Sequence, residues 1–237
     1  MALAAPRLIT TGNEELDGRL GGGIPHPSLI LFEGPSGSAK TTFAAQVLYG
    51  ALGSGLRAEL FTTESTPAQL VRQARSVTID LVRHYVSGRL RVYSTYQPGR
   101  PWGPEEAGEA LRRLTGYLAS GPWGDIVVVD SVTQLLQYSG PEAVATLIHA
   151  ARLAVSRGHS VLLTIHEGVV GEAVAAPLRA ASDVYYRFGL ASVGGKPVKV
   201  LRIVKARGVP DAVEASIAFD VDPAFGIKIV PIVVAQS

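Results

Sequence analysis

Residues 28–42 read Ser28-Leu29-Ile30-Leu31-Phe32-Glu33-Gly34-Pro35-Ser36-Gly37-Ser38-Ala39-Lys40-Thr41-Thr42. SLILF is a short apolar run that ends in Glu33-Gly34, the pattern of a strand covered on both faces in a parallel sheet. From Thr41 onward Phe43, Val47, Leu48 and Ala51 recur on one helical face, and Gly55 stands where a C-terminal cap belongs. Between strand and helix, Gly34 to Thr42 comes close to the pattern G-x-x-x-x-G-K-[ST]. Glycines let such a loop wrap so that successive N–H groups point at one anion, and the helix N-terminus adds its dipole. All nine residues, Gly34, Pro35, Ser36, Gly37, Ser38, Ala39, Lys40, Thr41 and Thr42, are therefore read as holding nucleotide phosphates. Lys40 is expected to reach the β- and γ-phosphates of ATP, and Thr41 to offer its hydroxyl to Mg²⁺. Ala39 departs from the pattern: its methyl stands where the second glycine belongs and would crowd the phosphates or reshape the loop. A plain Gly/Ser turn accounts for Gly34 and Gly37 but not for Lys40-Thr41-Thr42 at the helix start.

Working outward, the site needs an acid at the end of a second apolar strand. Residues 125–130 (DIVVVD) supply Asp130 as the second metal-shell residue; the competing reading is a strand-terminal acid in solvent. Asp125 reads as a surface turn residue, and Ser131 and Thr133 are hydroxyls near the metal shell. Glu64 follows the strand at 58–63 (AELFTT). It is a candidate catalytic carboxylate that polarises the attacking water, or else it serves the dipole of the next helix, which opens with the capping box Thr66-Pro67-Ala68-Gln69. His166 ends residues 161–165 (VLLTI), where parallel strands present ligands; phosphate contact and a subunit relay stand beside an ordinary loop histidine. Lys205 and Arg207 occupy alternate positions near a strand end. By residue pattern alone they read as a solvated edge rather than as fingers reaching a neighbour's γ-phosphate.

A third strand is expected at 90–95 (LRVYST), and residues 97–104, rich in Pro and Gly, read as a loop. Pro104 opens a helix with Glu105 and Glu106 in its first turn and Leu111, Leu114 and Leu118 as its stripe; Pro141 opens another, which Gly158 stops. After residue 183 the pattern changes to antiparallel strands at 184–193, 198–205 and 213–220, with Gly194-Gly195 as a hairpin turn. The expected fold is α/β: a mostly parallel central sheet flanked by helices, with C-terminal antiparallel hairpins, in one domain over 1–237. Twenty-two Lys+Arg against 20 Asp+Glu leave a net charge of +2, and no basic run marks a nucleic-acid surface. The absence of Cys excludes disulfides, thiol catalysis and Cys-based zinc sites. No signal-peptide core or spanning segment is read, so a cytoplasmic protein is expected, with any membrane role exercised through partners.

The stretches at 9–42 (ITTGNEELDGRLGGGIPHPSLILFEGPSGSAKTT), 61–66 (FTTEST) and 125–131 (DIVVVDS) resemble the KaiC-like branch of the RecA-type ATPases. Within it they are most similar to the FlaH (ArlH) family of archaellum assembly proteins. The resemblance covers essentially the whole chain. It implies a RecA-like P-loop domain that binds ATP and forms a homo-oligomeric, hexameric ring at the cytoplasmic, membrane-associated base of the archaellum motor. It implies the motor ATPase FlaI and the membrane platform as partners, and no nucleic acid. KaiC-like proteins carry two adjacent Glu after the second strand; Glu64-Ser65 keeps one, which together with Ala39 implies slow or no hydrolysis. The family's K-x-R-G position maps to Lys205 and Arg207 and gives them the role of fingers across a subunit border. The expectation is a regulatory ATP-binding subunit. The alternatives are an active KaiC-like ATPase or autokinase, which the missing Glu counts against, and a DNA-binding recombinase paralogue, which the near-neutral charge counts against.

Overall fold

The computed structural model describes residues 7–96, 99, 102–193, 195–209 and 213–231. The expected loop at 97–104 and the Gly194-Gly195 turn fall partly outside these residues. The chain opens with β1 (Arg7–Ile9), α1 (Glu14–Arg19) and β2 (Ile24–His26), the two strands pairing antiparallel. There follow β3 (Leu29–Gly34), α2 (Lys40–Gly53), β4 (Ala58–Thr62), α3 (Pro67–Arg75), α4 (Val82–Val86) and β5 (Leu90–Ser94). The middle of the chain holds α5 (Pro104–Ser120), β6 (Ile126–Asp130), α6 (Thr133–Leu136), α7 (Pro141–Ser156), β7 (Ser160–His166) and α8 (Glu172–Ala181). It closes with β8 (Val184–Val193), β9 (Lys196–Ala206), β10 (Ser216–Asp222) and β11 (Gly226–Ile229).

These strands form a nine-stranded sheet in the order β11-β10-β9-β8-β3-β7-β6-β4-β5. From β8 to β5 the pairs are parallel; β8, β9, β10 and β11 pair antiparallel. The expected α/β class, with helices about a mostly parallel sheet and an antiparallel end, is what the chain adopts. Strand β11 has no counterpart among the strands expected from sequence.

Alternation along β3 sorts the two cores. Ile30 and Phe32 face one side, where Phe43 of α2 and Tyr186 and Phe188 of β8 close an aromatic cluster; the Phe32 and Phe43 rings meet edge to face at 5.5 Å. Leu29 and Leu31 face the other side, with Leu114 and Leu118 of α5, Leu147 of α7 and Leu178 of α8. Glu33 shares that second face by the same period of two. It is 1% exposed and is met there by Arg179 of α8 and Tyr185 of β8.

The helix ends follow their sequence signals. Thr66 and Gln69 make the reciprocal capping box of α3. At the far end of α2 the Gly55 N–H bonds Leu52 O and the Leu56 N–H bonds Ala51 O, with Gly55 at φ +94°. Near the middle of α2, Gln46 donates to Thr11 O at 2.7 Å, so the N-terminal segment is seated on this helix.

Candidate functional site

The parallel strands deliver four chemically active residues to one end of the sheet. β3 leads into the loop at 34–39 and Lys40, β4 leads to Glu64, β6 ends on Asp130 and β7 ends on His166. Since β3 is hydrogen-bonded between β7 and β8, the loop sits at the sheet's centre, at the carboxyl ends where such folds hold ligands.

Gly34 is needed for packing as well as for phosphate approach: a Cβ there would lie 2.5 Å from Phe188 O and 2.8 Å from Phe188 Cβ. Gly37 and Ala39 both take left-handed backbone, at φ +77° and +70°. Ala39 is thus held where glycine belongs, at a cost of about 1 kcal/mol or more for an L-residue. Ala39→Gly is expected to raise stability by roughly 0.5 kcal/mol, the relief of strain exceeding the extra unfolded-state entropy of glycine. Denaturant unfolding checks this; a lower midpoint for the variant would mean that the alanine is not strained.

Helix α2 starts directly after this loop. It has no side-chain cap and no acid in its first turn, so its N–H groups and dipole are available to an anion. The Lys40 ammonium is buried and donates to Gly34 O at 2.8 Å and Pro35 O at 2.9 Å. Burial holds its pKa below the ordinary lysine value, partly opposed by Asp130, Glu64 and Glu167. To reach a phosphate it must leave the two carbonyls, trading neutral acceptors for charged ones.

Asp130 is buried, and its Oδ1 accepts from Thr164 Oγ1 at 2.6 Å; the Thr41 hydroxyl at the start of α2 is close enough to favour its charged form. Burial pushes its carboxyl up, with the two hydroxyls pulling the other way. The Thr41 hydroxyl and the Asp130 carboxylate together offer an all-oxygen donor set that suits a hard cation such as Mg²⁺. Thr164 escaped sequence reading; its signal is a lone hydroxyl inside the apolar run at 161–165.

Glu64 does not simply serve the dipole of α3. Its Oε1 accepts from His166 Nε2 at 2.6 Å and from Ser131 Oγ at 2.8 Å. These bonds, the one from His166 first, hold its carboxyl below the usual range against the effect of burial. His166 Nδ1 lies 3.4 Å from Lys40 Nζ, and its backbone N–H donates to Thr133 Oγ1 at 2.8 Å. Glu64, Ser131, Thr133, His166 and Lys40 are thus joined in one network. Asp125 lies at the other end of β6, accepting the Arg57 N–H at 2.8 Å.

Lys205 and Arg207 are placed elsewhere. Arg207 N–H bonds Asp183 O and Asp183 N–H bonds Leu29 O, which puts both cations level with the start of β3. Five residues of strand, roughly 16 Å, separate that level from Gly34. The two cations cannot reach the phosphate loop of their own chain. Nor do they project alike from a strand, because β9 ends at Ala206. Lys205 Nζ donates to Arg179 O, Ala180 O and Ser182 O, closing the last carbonyls of α8, whereas Arg207 is exposed. In this chain by itself Lys205 is therefore more than a solvated edge, since its ammonium closes the end of α8.

Among the described residues no helix is long and apolar enough to cross a membrane, and no cluster of three or more His, Cys, Asp or Glu is arranged to hold a metal. The metal expected at this site would instead rest on Thr41, Asp130 and phosphate.

The family described as the KaiC ATPase matches residues 9–234. The archaeal flagellar ATP-binding protein FlaH of Sulfolobus acidocaldarius is 33% identical over 97% of this chain and 100% of its own length. The protein of that name from Methanocaldococcus jannaschii is 25% identical over 93% of this chain and 94% of its own. The crystal structure of the flagellar accessory protein FlaH from M. jannaschii superposes with a TM-score of 0.82 at 22% identity, over 95% of this chain and all of that one, and so shares its fold. A circadian clock protein, KaiC3 of Synechocystis, is 34% identical over 37% of the chain and 17% of its own length. With its glycine-containing loop and Lys40 between β3 and α2 and its acids at the ends of β4 and β6, the chain belongs to the FlaH family within the KaiC-type ATPases.

Proposed function

We propose that the chain is an ATP-binding regulatory subunit of the archaellum machinery, in which nucleotide state controls assembly into a ring that docks the motor ATPase FlaI and the membrane platform. The observation that carries this reading is the placement of Lys40, Thr41 and Asp130 around the central loop, while Arg207 stands at the far end of the sheet. A site with its anchoring groups in one place and an exposed cation at the opposite end is suited to completion by a neighbouring copy, each chain binding ATP at its own loop and presenting Arg207 to the next. MgATP fits the groups present. The loop N–H groups and Lys40 would hold the phosphates, while Thr41 and Asp130 would hold Mg²⁺, which when bound spreads the phosphate charge. Glu64 is the one carboxylate placed to take a proton from water. With Oε1 already accepting two hydrogen bonds, it makes ATP a long-lived ligand and turnover slow. The place of action is the cytoplasmic side of the membrane, reached through partners.

A cation from a neighbour that meets the γ-phosphate favours ATP over ADP in the assembly, and by linkage ATP then favours assembly. The expected result in light scattering is a larger particle, a hexamer, with saturating MgATP than with ADP or without nucleotide. Arg207→Ala is expected to weaken that response while leaving ATP affinity of the monomer within about threefold, or less than 1 kcal/mol. A parent that stays monomeric at high concentration with ATP, or an Arg207→Ala variant that assembles equally well, would remove the assembly reading. A second reading, an active ATPase, is favoured by the link of Glu64 through Ser131 to the strand end that carries Asp130; rapid phosphate release by the parent would select it.

A further inference from the structure

The network around Glu64 has a direction. An ammonium carries donors only, so His166 Nδ1, 3.4 Å from Lys40 Nζ, presents its lone pair there, and the ring N–H lies on Nε2, 2.6 Å from Glu64 Oε1. Ser131 Oγ fills a second position on the same oxygen at 2.8 Å. Both donors are themselves held. Ser131 N–H bonds Thr63 Oγ1, and His166 N–H bonds Thr133 Oγ1. Immediately after His166, the Glu167 N–H bonds Gly34 O, one of the two carbonyls that Lys40 occupies.

Hydrolysis asks the opposite of Glu64. A water oxygen bonds to the γ-phosphorus, its proton passes to the Glu64 carboxylate, and the bond to the β–γ bridging oxygen breaks with its electron pair leaving on ADP. A base in this step needs a free lone pair aimed at the water. Oε1 instead serves two donors, and their pull on the shared charge makes Oε2 a weaker base as well.

We propose that His166 is a latch on Glu64: its Nε2–H bonds Oε1, which fixes the direction of the carboxylate and makes it a weaker base, and fast turnover requires the imidazole to swing away. There is room for the ring to move. His166 lines a cavity of about 550 Å³ bordered by Glu33, Glu167, Gly168, Arg179 and Arg187. His166 is in this account a positioning residue that acts through Glu64, and the account rests on the reading of the loop as an ATP site with Glu64 as the base.

The test is steady-state phosphate release with ATP affinity measured in parallel by calorimetry. His166→Ala is expected to raise kcat at least tenfold with KM for ATP changed less than threefold. His166→Gln, which keeps an N–H donor of similar reach, is expected to stay near the parent, a split that a merely structural role would not produce. Ser131→Ala, which removes the other donor, is expected to raise kcat by a smaller factor and serves if the His166 variants do not fold. A kcat for His166→Ala at or below the parent value, or an equal rise with Gln, overturns the latch. The His166→Ala/Glu64→Gln double variant is expected to fall to the parent rate or below it. If it keeps the raised rate, Glu64 is not the base and the latch falls with that assignment. A parent that binds no ATP overturns the reading of the site itself.

Discussion

Lys40→Ala is expected to lose tight MgATP binding by a factor of 10² to 10³. Charge-assisted hydrogen bonds to phosphate are each worth about 1.5–3 kcal/mol, and the ammonium of Lys40 is positioned to make two of them in exchange for the bonds it now makes to Gly34 O and Pro35 O. The fold is expected to survive, because the strands and the aromatic core around Phe32 and Phe43 do not depend on this side chain. Calorimetric titration with MgATP checks the loss, and circular dichroism checks the fold. A variant that binds ATP like the parent would show that the loop at 34–42 is not the phosphate site.

The largest expected effect on stability lies behind that loop. Glu33 is 1% exposed and accepts from Arg179 Nε at 2.7 Å, from Arg179 Nη2 and from Tyr185 Oη at 2.6 Å. Burial pushes its carboxyl up, but the bonds from Arg179 and Tyr185 outweigh burial and hold it below the ordinary value of 4.5. Arg179→Met strands the carboxylate with Tyr185 as its remaining partner and is expected to cost about 3 kcal/mol at neutral pH, as broken buried pairs do. In the parent a depressed folded pKa contributes stability that is present above 4.5 and is lost as pH falls through the folded value. In the variant burial dominates and the folded pKa rises above the unfolded one, so the sign reverses: the deficit is largest at neutral pH and shrinks as the carboxyl takes up a proton. Urea unfolding at several pH values reads both the size and the reversal. A deficit that does not change with pH would mean that Arg179 acts by packing alone, and adding Glu33→Gln to Arg179→Met is expected to recover part of the loss.

The parts of this molecule that are legible in sequence are those whose cause is local. Gly34, Lys40 and Thr41 announce themselves because a phosphate loop needs its residues at fixed spacing, and the apolar runs at 28–32 and 125–130 because a doubly covered strand has no polar face. The capping box at Thr66 and Gln69 is local in the same way. What sequence reading missed is either too short or too distant. Strands β1 and β2 have three residues each, and α6 has four, too few for a period to show. Glu33 and Arg179 are 146 positions apart, and Glu64 and His166 102 apart, so no spacing rule connects them. Lys205 was legible as a cation near a strand end, but the three carbonyls that take up its ammonium belong to α8 and Ser182, more than twenty residues earlier.

The position of β3 governs the order in which the molecule is made. Its two neighbours are β7, which begins at Ser160, and β8, which begins at Val184, whereas β4 and β5 pair within a much shorter stretch of chain. On a ribosome adding about 5–20 residues per second, β3 waits roughly 7–26 s with both edges unpaired before β7 is made, and longer before β8 covers its other edge. For that interval SLILF is an apolar strand without a sheet, the kind of segment that finds another chain when it cannot find its own. The loop at 34–42 therefore takes shape late in biosynthesis. Nucleotide affinity is acquired only when the last parallel strand arrives, and yield in a foreign host depends on what shields residues 28–32 until then.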